Sequence, residues 1–286
     1  MGVKLIIAIT GANGQLGTQL QKFWKNSGHE LICLDLPEFD ITNKHNTINR
    51  LLTIRPDVII HTAAFTDVDA CEESEDSAFS VNATGTESVA EAAEKCGAFL
   101  VYISTDYVFD GRLRHPLKET DLSNPNGVYA VSKFIGELKS LENSRHCAIL
   151  RTCGLYSSTG TNFVKKIVKK LKNSDPIYVV NDQTVSPTYV KDFSEAIDVV
   201  VKNKPEGIFH MANCGAVTWF NFARKIAEVM GINPIKINSI STVELNLKVN
   251  RPKYSALNSS KCHKELGYKF RTWDQALTDF LSNEVL

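Results

Sequence analysis

One stretch constrains the fold of this chain more than any other: KLIIAITGANGQLGTQL, residues 4–20. An apolar run of strand character, 4–10, passes directly into Gly11, Gly14 and Gly17, while Leu16, Leu20, Phe23 and Trp24 recur at helical spacing. Glycine at the first position permits a tight reversal, and the second lets the backbone approach a pyrophosphate. The third lets the helix sit close on the sheet, with phosphate held at the helix N-terminus. A strand, a glycine-rich turn and a helix in that order predict a dinucleotide site, with Gly11, Asn13, Gly14, Gln15 and Leu16 at the cofactor.

The rest of the chain repeats the alternation. Apolar runs at 30–35, 57–63, 98–104 and 147–152 read as strands. Between them lie amphipathic stretches: one after Thr42, which offers a helix cap, a long one ending on Gly97, and one over about 127–143. Strands separated by helices imply right-handed crossovers and a parallel sheet covered on both faces. The expected class is therefore α/β, a Rossmann-type doubly wound parallel sheet over residues 1–155. Beyond that point the pattern is less regular. Residues 156–286 are expected to form mainly a smaller α/β substrate domain, with the chain free to cross back to the first.

Composition narrows the function. The 286 residues are 43% hydrophobic, with 32 Lys+Arg against 32 Asp+Glu, an ordinary globular balance with no basic arm. That argues against nucleic acid or an anionic membrane as partner. No apolar run approaches the roughly 20 residues of a membrane span, and the N-terminal run enters glycines without a cleavage site, unlike a signal peptide. Seven scattered cysteines without a C-x-x-C pair fit reduced thiols in a cytoplasmic enzyme better than a disulfide framework or zinc site. Oligomeric state is not legible.

Asp35 ends the second strand 18 residues beyond Gly17, where a carboxylate would bond the adenine ribose 2′-OH and repel a 2′-phosphate. Neither Arg nor Lys occupies 33–39, so NADH is the expected cofactor, with NADPH the alternative. Asp40, with Ile41 beside it, offers a further adenosine contact or begins a helix. Thr105 follows the fourth strand at the carboxyl edge, where open parallel sheets bind ligands. Tyr129 and Lys133, four apart, share one face of the next helix. Reduction of a ketone by hydride makes an alkoxide that needs a proton as it forms. A tyrosine near pKa ~10 suits the geometry, and a neighbouring ammonium brings its pKa down. Lys133 would also bond the nicotinamide ribose, and Thr105 would hold the substrate oxygen against Tyr129.

The G-x-x-G-x-x-G spacing with Thr105, Tyr129 and Lys133 resembles the extended short-chain dehydrogenase/reductases. Together with "RPDVIIHTAAFTDVDACEE", "ISTDYVFDG", "YAVSK", "VVNDQTVSPT" and "RPKYSAL", it is similar to the dTDP-4-dehydrorhamnose reductase family from residue 4 to about 280. The resemblance implies reduction of the 4-keto group of a dTDP-6-deoxyhexulose with NADH or NADPH; some family members dimerise through a metal held by glutamates, which have no counterpart placed here, so neither metal nor dimer is carried over. It implies that Ala63, Ala64 and Thr66 line the cofactor and sugar sites, with Asp106 and Tyr107 near the substrate. Asn162, Phe163, Gln183 and Arg251 would face the nucleotide diphosphate or its base. Two positions depart from the family: Gly154 stands where an aromatic residue is usual, and Phe65 where His is usual.

Three other readings share parts of this pattern. A 4,6-dehydratase would follow Thr105 with Asp-Glu, whereas the chain has Asp106-Tyr107. An epimerase would keep Tyr129 and Lys133 but consume no NADH overall. A non-catalytic subunit like the regulatory subunit of methionine adenosyltransferase would act by association.

Overall fold

The computed structural model describes residues 3–173, 175–245 and 249–285. Its central sheet has six strands: β1 (Ile6–Thr10), β2 (Glu30–Leu34), β3 (Val58–His61), β4 (Phe99–Thr105), β5 (Cys147–Thr152) and β6 (Gly207–His210). They run in the order β2-β1-β3-β4-β5-β6, every neighbour parallel. The winding reverses between β1 and β3, so the loops leaving their carboxyl ends part and open a crevice.

The strands are apolar on both faces because both faces are covered. Ile7, Ile9, Val58, Ile60, Val101 and Leu150 point to one side. They meet Leu16, Leu20 and Trp24 of α1 (Gln15–Trp24) and Phe193 and Ile197 of α6 (Val190–Asn203). Alternate residues Ala8, Ile59, Leu100 and Ile149 point to the other side, against Leu51 of α2 (Lys44–Ile54) and Val89, Ala90 and Ala93 of α3 (Thr86–Cys96). Phe23 departs from the sequence expectation: it is 37% exposed, at the edge of the α1 stripe.

Helix boundaries depart in two further places. Asn43, not Thr42, caps α2, its side chain accepting the Asn46 N–H. The long helix expected before Gly97 is interrupted by a π-helical turn, Ser80–Gly85, which turns Asn82 into the protein interior. Tyr129 and Lys133 lie on α4 (Val128–Asn143), against β4. Gly136 makes that packing possible: a Cβ there would lie 2.3 Å from Tyr102 Oη and 2.4 Å from the Asn82 carbonyl oxygen.

The later part of the chain supplies β6 and α6 to the sheet layers and builds a second core of its own. That core packs α5 (Phe163–Asn173), α7 (Trp219–Val229) and α8 (Trp273–Phe280) around Tyr156, Tyr189, Phe222 and Phe280.

Candidate active site

A cleft of about 890 Å³ opens at the carboxyl edge of the sheet. One end is the glycine turn. Gly11 has φ +68°, and a Cβ on it would sit 2.6 Å from the Ala63 nitrogen, so only glycine lets the β1 and β3 loops meet this closely. A Cβ on Gly17 would collide with the Gly11 carbonyl oxygen at 2.5 Å. Gly14 caps α1 without a side-chain hydrogen bond, and the first turn holds no acid. The helix therefore presents its free N–H groups and the positive end of its dipole, which fits a pyrophosphate. Gly11, Asn13, Gly14, Gln15, Leu16, Asp35, Asp40, Ile41, Ala63 and Ala64 all line this part of the cleft. Asp35 also braces the turn, because its carboxylate accepts the Asn13 N–H at 2.7 Å and the Leu36 N–H at 2.8 Å.

The other end holds the candidate reacting groups. Thr105, Tyr129 and Lys133 line one wall, together with Asp106. Three sets of contacts fix the start of α4. Glu72 accepts the Val128 N–H at 2.7 Å, capping the helix from a distant segment. Asn82 donates to Ser132 Oγ at 3.0 Å and exchanges hydrogen bonds with the Phe65 backbone in both directions. Tyr102 donates to the Lys133 carbonyl oxygen at 3.2 Å. The pleat beneath is held by the buried Arg151–Glu137 pair, 2.6 Å, whose carboxylate also accepts from Ser104.

Lys133 Nζ donates to the Ile103 carbonyl oxygen, and burial pulls its pKa down to about 7 against the opposing pull of Glu137. Burial also pushes the Tyr129 phenol well above the ordinary tyrosine value, with the neighbouring Thr105 hydroxyl opposing. The sequence reading has an ammonium lower this phenol; in the structure desolvation is the larger influence. The reason is that burial disfavours the charged form of each.

Of the substrate residues named from the sequence, Thr66, Asp106 and Asn162 line the cleft. Asn162 bridges to the glycine turn, donating to Gln15 Oε1 at 3.2 Å. Tyr107 stands edge-on to Tyr129, ring centres 5.7 Å apart. Phe163, Gln183 and Arg251 lie outside the cleft lining. Phe163 packs against Trp219, the rings tilted and their centres 4.5 Å apart, Gln183 donates to Thr242 Oγ1, and Arg251 pairs with Asp69 at 3.2 Å. Gly154 lines the cleft with φ +53°; a Cβ there would meet Trp219 Cη2 at 3.1 Å, so the space behind it is filled by the indole. Phe65, Phe39 and Val81 give the cleft apolar lining, and Glu72 and Asn82 position α4. None of their supporting roles has a local sequence signal, apart from Phe65 as a departure from the family pattern.

The family described as RmlD substrate binding domain matches residues 5–285. The dTDP-4-dehydrorhamnose reductase of Aggregatibacter actinomycetemcomitans is 36% identical over 283 residues, covering 95% of this chain and 96% of its own. This chain belongs to the dTDP-4-dehydrorhamnose reductase family. Among solved structures, the family member from Clostridium acetobutylicum superposes with a TM-score of 0.94 at 38% identity, covering 97% of this chain and 98% of that one. The Bacillus anthracis dTDP-4-dehydrorhamnose reductase, solved in complex with NADP, gives 0.93 at 37% identity, covering 98% and 99%. Family membership makes this chain a nicotinamide-dependent oxidoreductase with a doubly wound sheet. Among the described residues no helix is long and apolar enough to cross a membrane.

Proposed function

We propose that this chain reduces the 4-keto group of a dTDP-linked 6-deoxyhexulose, converting dTDP-4-dehydro-L-rhamnose to dTDP-L-rhamnose. The observation that carries the reading is one continuous cleft with the glycine turn at one end and Thr105, Tyr129 and Lys133 on the wall at the other. In the proposal Gly11, Asn13, Gly14, Gln15 and Leu16 hold the pyrophosphate, Asp35, Asp40 and Ile41 the adenosine, and Ala63 and Ala64 the ribose side. A bound reduced nicotinamide supplies the hydride. Tyr129 delivers the proton to the developing alkoxide, Thr105 hydrogen-bonds the same oxygen, and Lys133 leaves the Ile103 carbonyl to bond the nicotinamide ribose. Thr66, Asp106, Tyr107 and Asn162 stand toward the sugar. Phe163, Gln183 and Arg251 belong to the nucleotide end, which residues 156–286 mainly build.

NADH is the proposed preference. Asp35 lines the adenosine end, and Lys133 is the one cation among the described residues lining the cleft, so a 2′-phosphate meets like charge and no counter-ion. The NADP complex of the Bacillus anthracis relative makes NADPH the necessary comparison.

The test is oxidation of NADH and NADPH by the purified protein with the dTDP-linked 4-keto-6-deoxy-L-hexulose. Stoichiometric oxidation with formation of the reduced sugar supports the reading. Isomerised sugar without net oxidation makes the chain an epimerase; a folded protein that binds NADH yet turns over no nucleotide 4-ketosugar refutes the reductase assignment.

A further inference from the structure

Asp106 is 3% exposed, and its carboxyl is enclosed by groups drawn from three segments. Thr105 Oγ1 is 3.2 Å from Asp106 Oδ1, and Cys153 Sγ, from the turn after β5, is 3.0 Å from Oδ2. The buried Ser255 hydroxyl lies beside the same carboxyl and favours its ionised form. Thr105 Oγ1 meanwhile accepts the Tyr107 N–H at 3.2 Å.

These contacts constrain the Thr105 hydroxyl, which has one proton and two lone pairs. One lone pair is occupied by Tyr107 N–H. With Asp106 ionised, the hydroxyl proton points at the carboxylate, and Thr105 has nothing to donate to a ketone oxygen. With Asp106 protonated, the carboxyl O–H fills the second lone pair, and the Thr105 proton is released toward Tyr129 and the cleft. The two states differ by one proton on Asp106 and by the direction of the Thr105 hydroxyl, and only the second makes Thr105 a donor to substrate.

We infer that Asp106 is a positioning residue: in its neutral form it turns the Thr105 hydroxyl toward the substrate oxygen, and its ionisation turns that hydroxyl away. The inference rests on the reductase reading above. Burial, the largest influence, raises the Asp106 pKa and favours the neutral acid, with the Ser255 hydroxyl, the Cys153 thiol and the Thr105 hydroxyl opposing in that order. The titratable groups facing it are Cys153 from the β5 turn, Tyr129 from α4 and Tyr107 from its own turn, and the Arg251 guanidinium bears on Tyr107. Burial raises all three of these facing groups, so each stays neutral while Asp106 titrates.

The experiment is the pH profile of kcat and KM for ketosugar reduction in the full chain, wild type beside Cys153→Ser, Cys153→Ala and Asp106→Asn. A serine hydroxyl donates to a carboxylate more strongly than a thiol, so Cys153→Ser favours the ionised acid. Its alkaline loss of kcat should begin at lower pH than in wild type. Cys153→Ala removes the donor, and the loss should begin at higher pH. Asp106→Asn, whose amide donates at every pH, should lack the Asp106 limb altogether. Across that limb kcat should fall about 10²-fold or more, the scale of one lost donor to a developing oxyanion, with KM little changed. An infrared band of a protonated carboxylic acid, absent from Asp106→Asn, should be lost over the same pH range. Limbs that stay fixed or move together in the two Cys153 variants overturn the inference while leaving the reductase reading intact. Absence of any wild-type reduction overturns the reading itself.

Discussion

Lys133 Nζ donates to the Ile103 carbonyl oxygen at 2.7 Å and lies 4.1 Å from the centre of the Tyr102 ring. The amine is thus held by a peptide dipole and a π-face, without a carboxylate in hydrogen-bond contact, at the point where the proposed mechanism needs it for a ribose.

That environment predicts a pH-dependent stability. The folded pKa, about 7, is below the ordinary lysine value of 10.5, so the unfolded chain binds the extra proton between those values. Where the unfolded state binds more protons, stability rises with pH. The cost of burying Lys133 is therefore largest below about pH 7 and is relieved as pH climbs toward 10.5. Lys133→Met should be more stable than wild type near neutrality by ~1 kcal/mol or more, with the gap closing in alkali, while NADH binding and turnover both fall. Denaturant unfolding of both proteins across pH measures this; a gap independent of pH would sink it.

Tyr129→Phe removes the proposed proton donor and keeps the ring that packs edge-on with Tyr107. Turnover should drop by about 10²-fold or more, and NADH affinity, read by fluorescence titration, should hardly move. A variant that turns over normally assigns the acid elsewhere.

The Asp35 carboxylate, proposed to bind the adenosine, also braces Asn13 and Leu36. Asp35→Ala should therefore weaken both coenzymes and narrow the difference between NADH and NADPH. Dissociation constants for the pair give the ratio; an unchanged ratio means that selection lies outside Asp35.

Gly136 is where α4 touches Tyr102 and the Asn82 backbone. Gly136→Ala should cost about 1–3 kcal/mol, the usual scale of overpacking, because one of the two colliding atoms is a carbonyl that cannot swing aside. The helix must shift, so turnover should fall as well. Unfolding free energy and kcat on the same preparation test both; a stability within error of wild type contradicts the packing.

The parts of this protein written in contiguous residues were legible in the sequence. Apolar runs alternating with helical periodicity gave the strands and their crossovers, because that periodicity follows from one segment facing one core. The glycine turn was legible because turn, strand end and helix start are adjacent in the chain. Thr105 and the Tyr129–Lys133 pair were readable because a strand end and one helix turn each lie within a few residues. Where local signals competed, the reading slipped: Asn43 and Thr42 are both good caps, and nothing in the local pattern marks the π-helical turn at Ser80–Gly85.

What only the tertiary structure decided is which distant groups meet those residues. Glu72 caps the Tyr129 helix from 56 residues away, Cys153 reaches Asp106 across 47, and Arg251 is held by Asp69 across 182. Such pairings arise when sheet order brings loop ends together, and no spacing in the chain encodes them. Burial is decided the same way. The sequence determined which titratable groups this cleft contains; the packing around Lys133, Tyr129 and Asp106 decided the direction in which each pKa moves, because desolvation is a property of the surroundings and not of the residue.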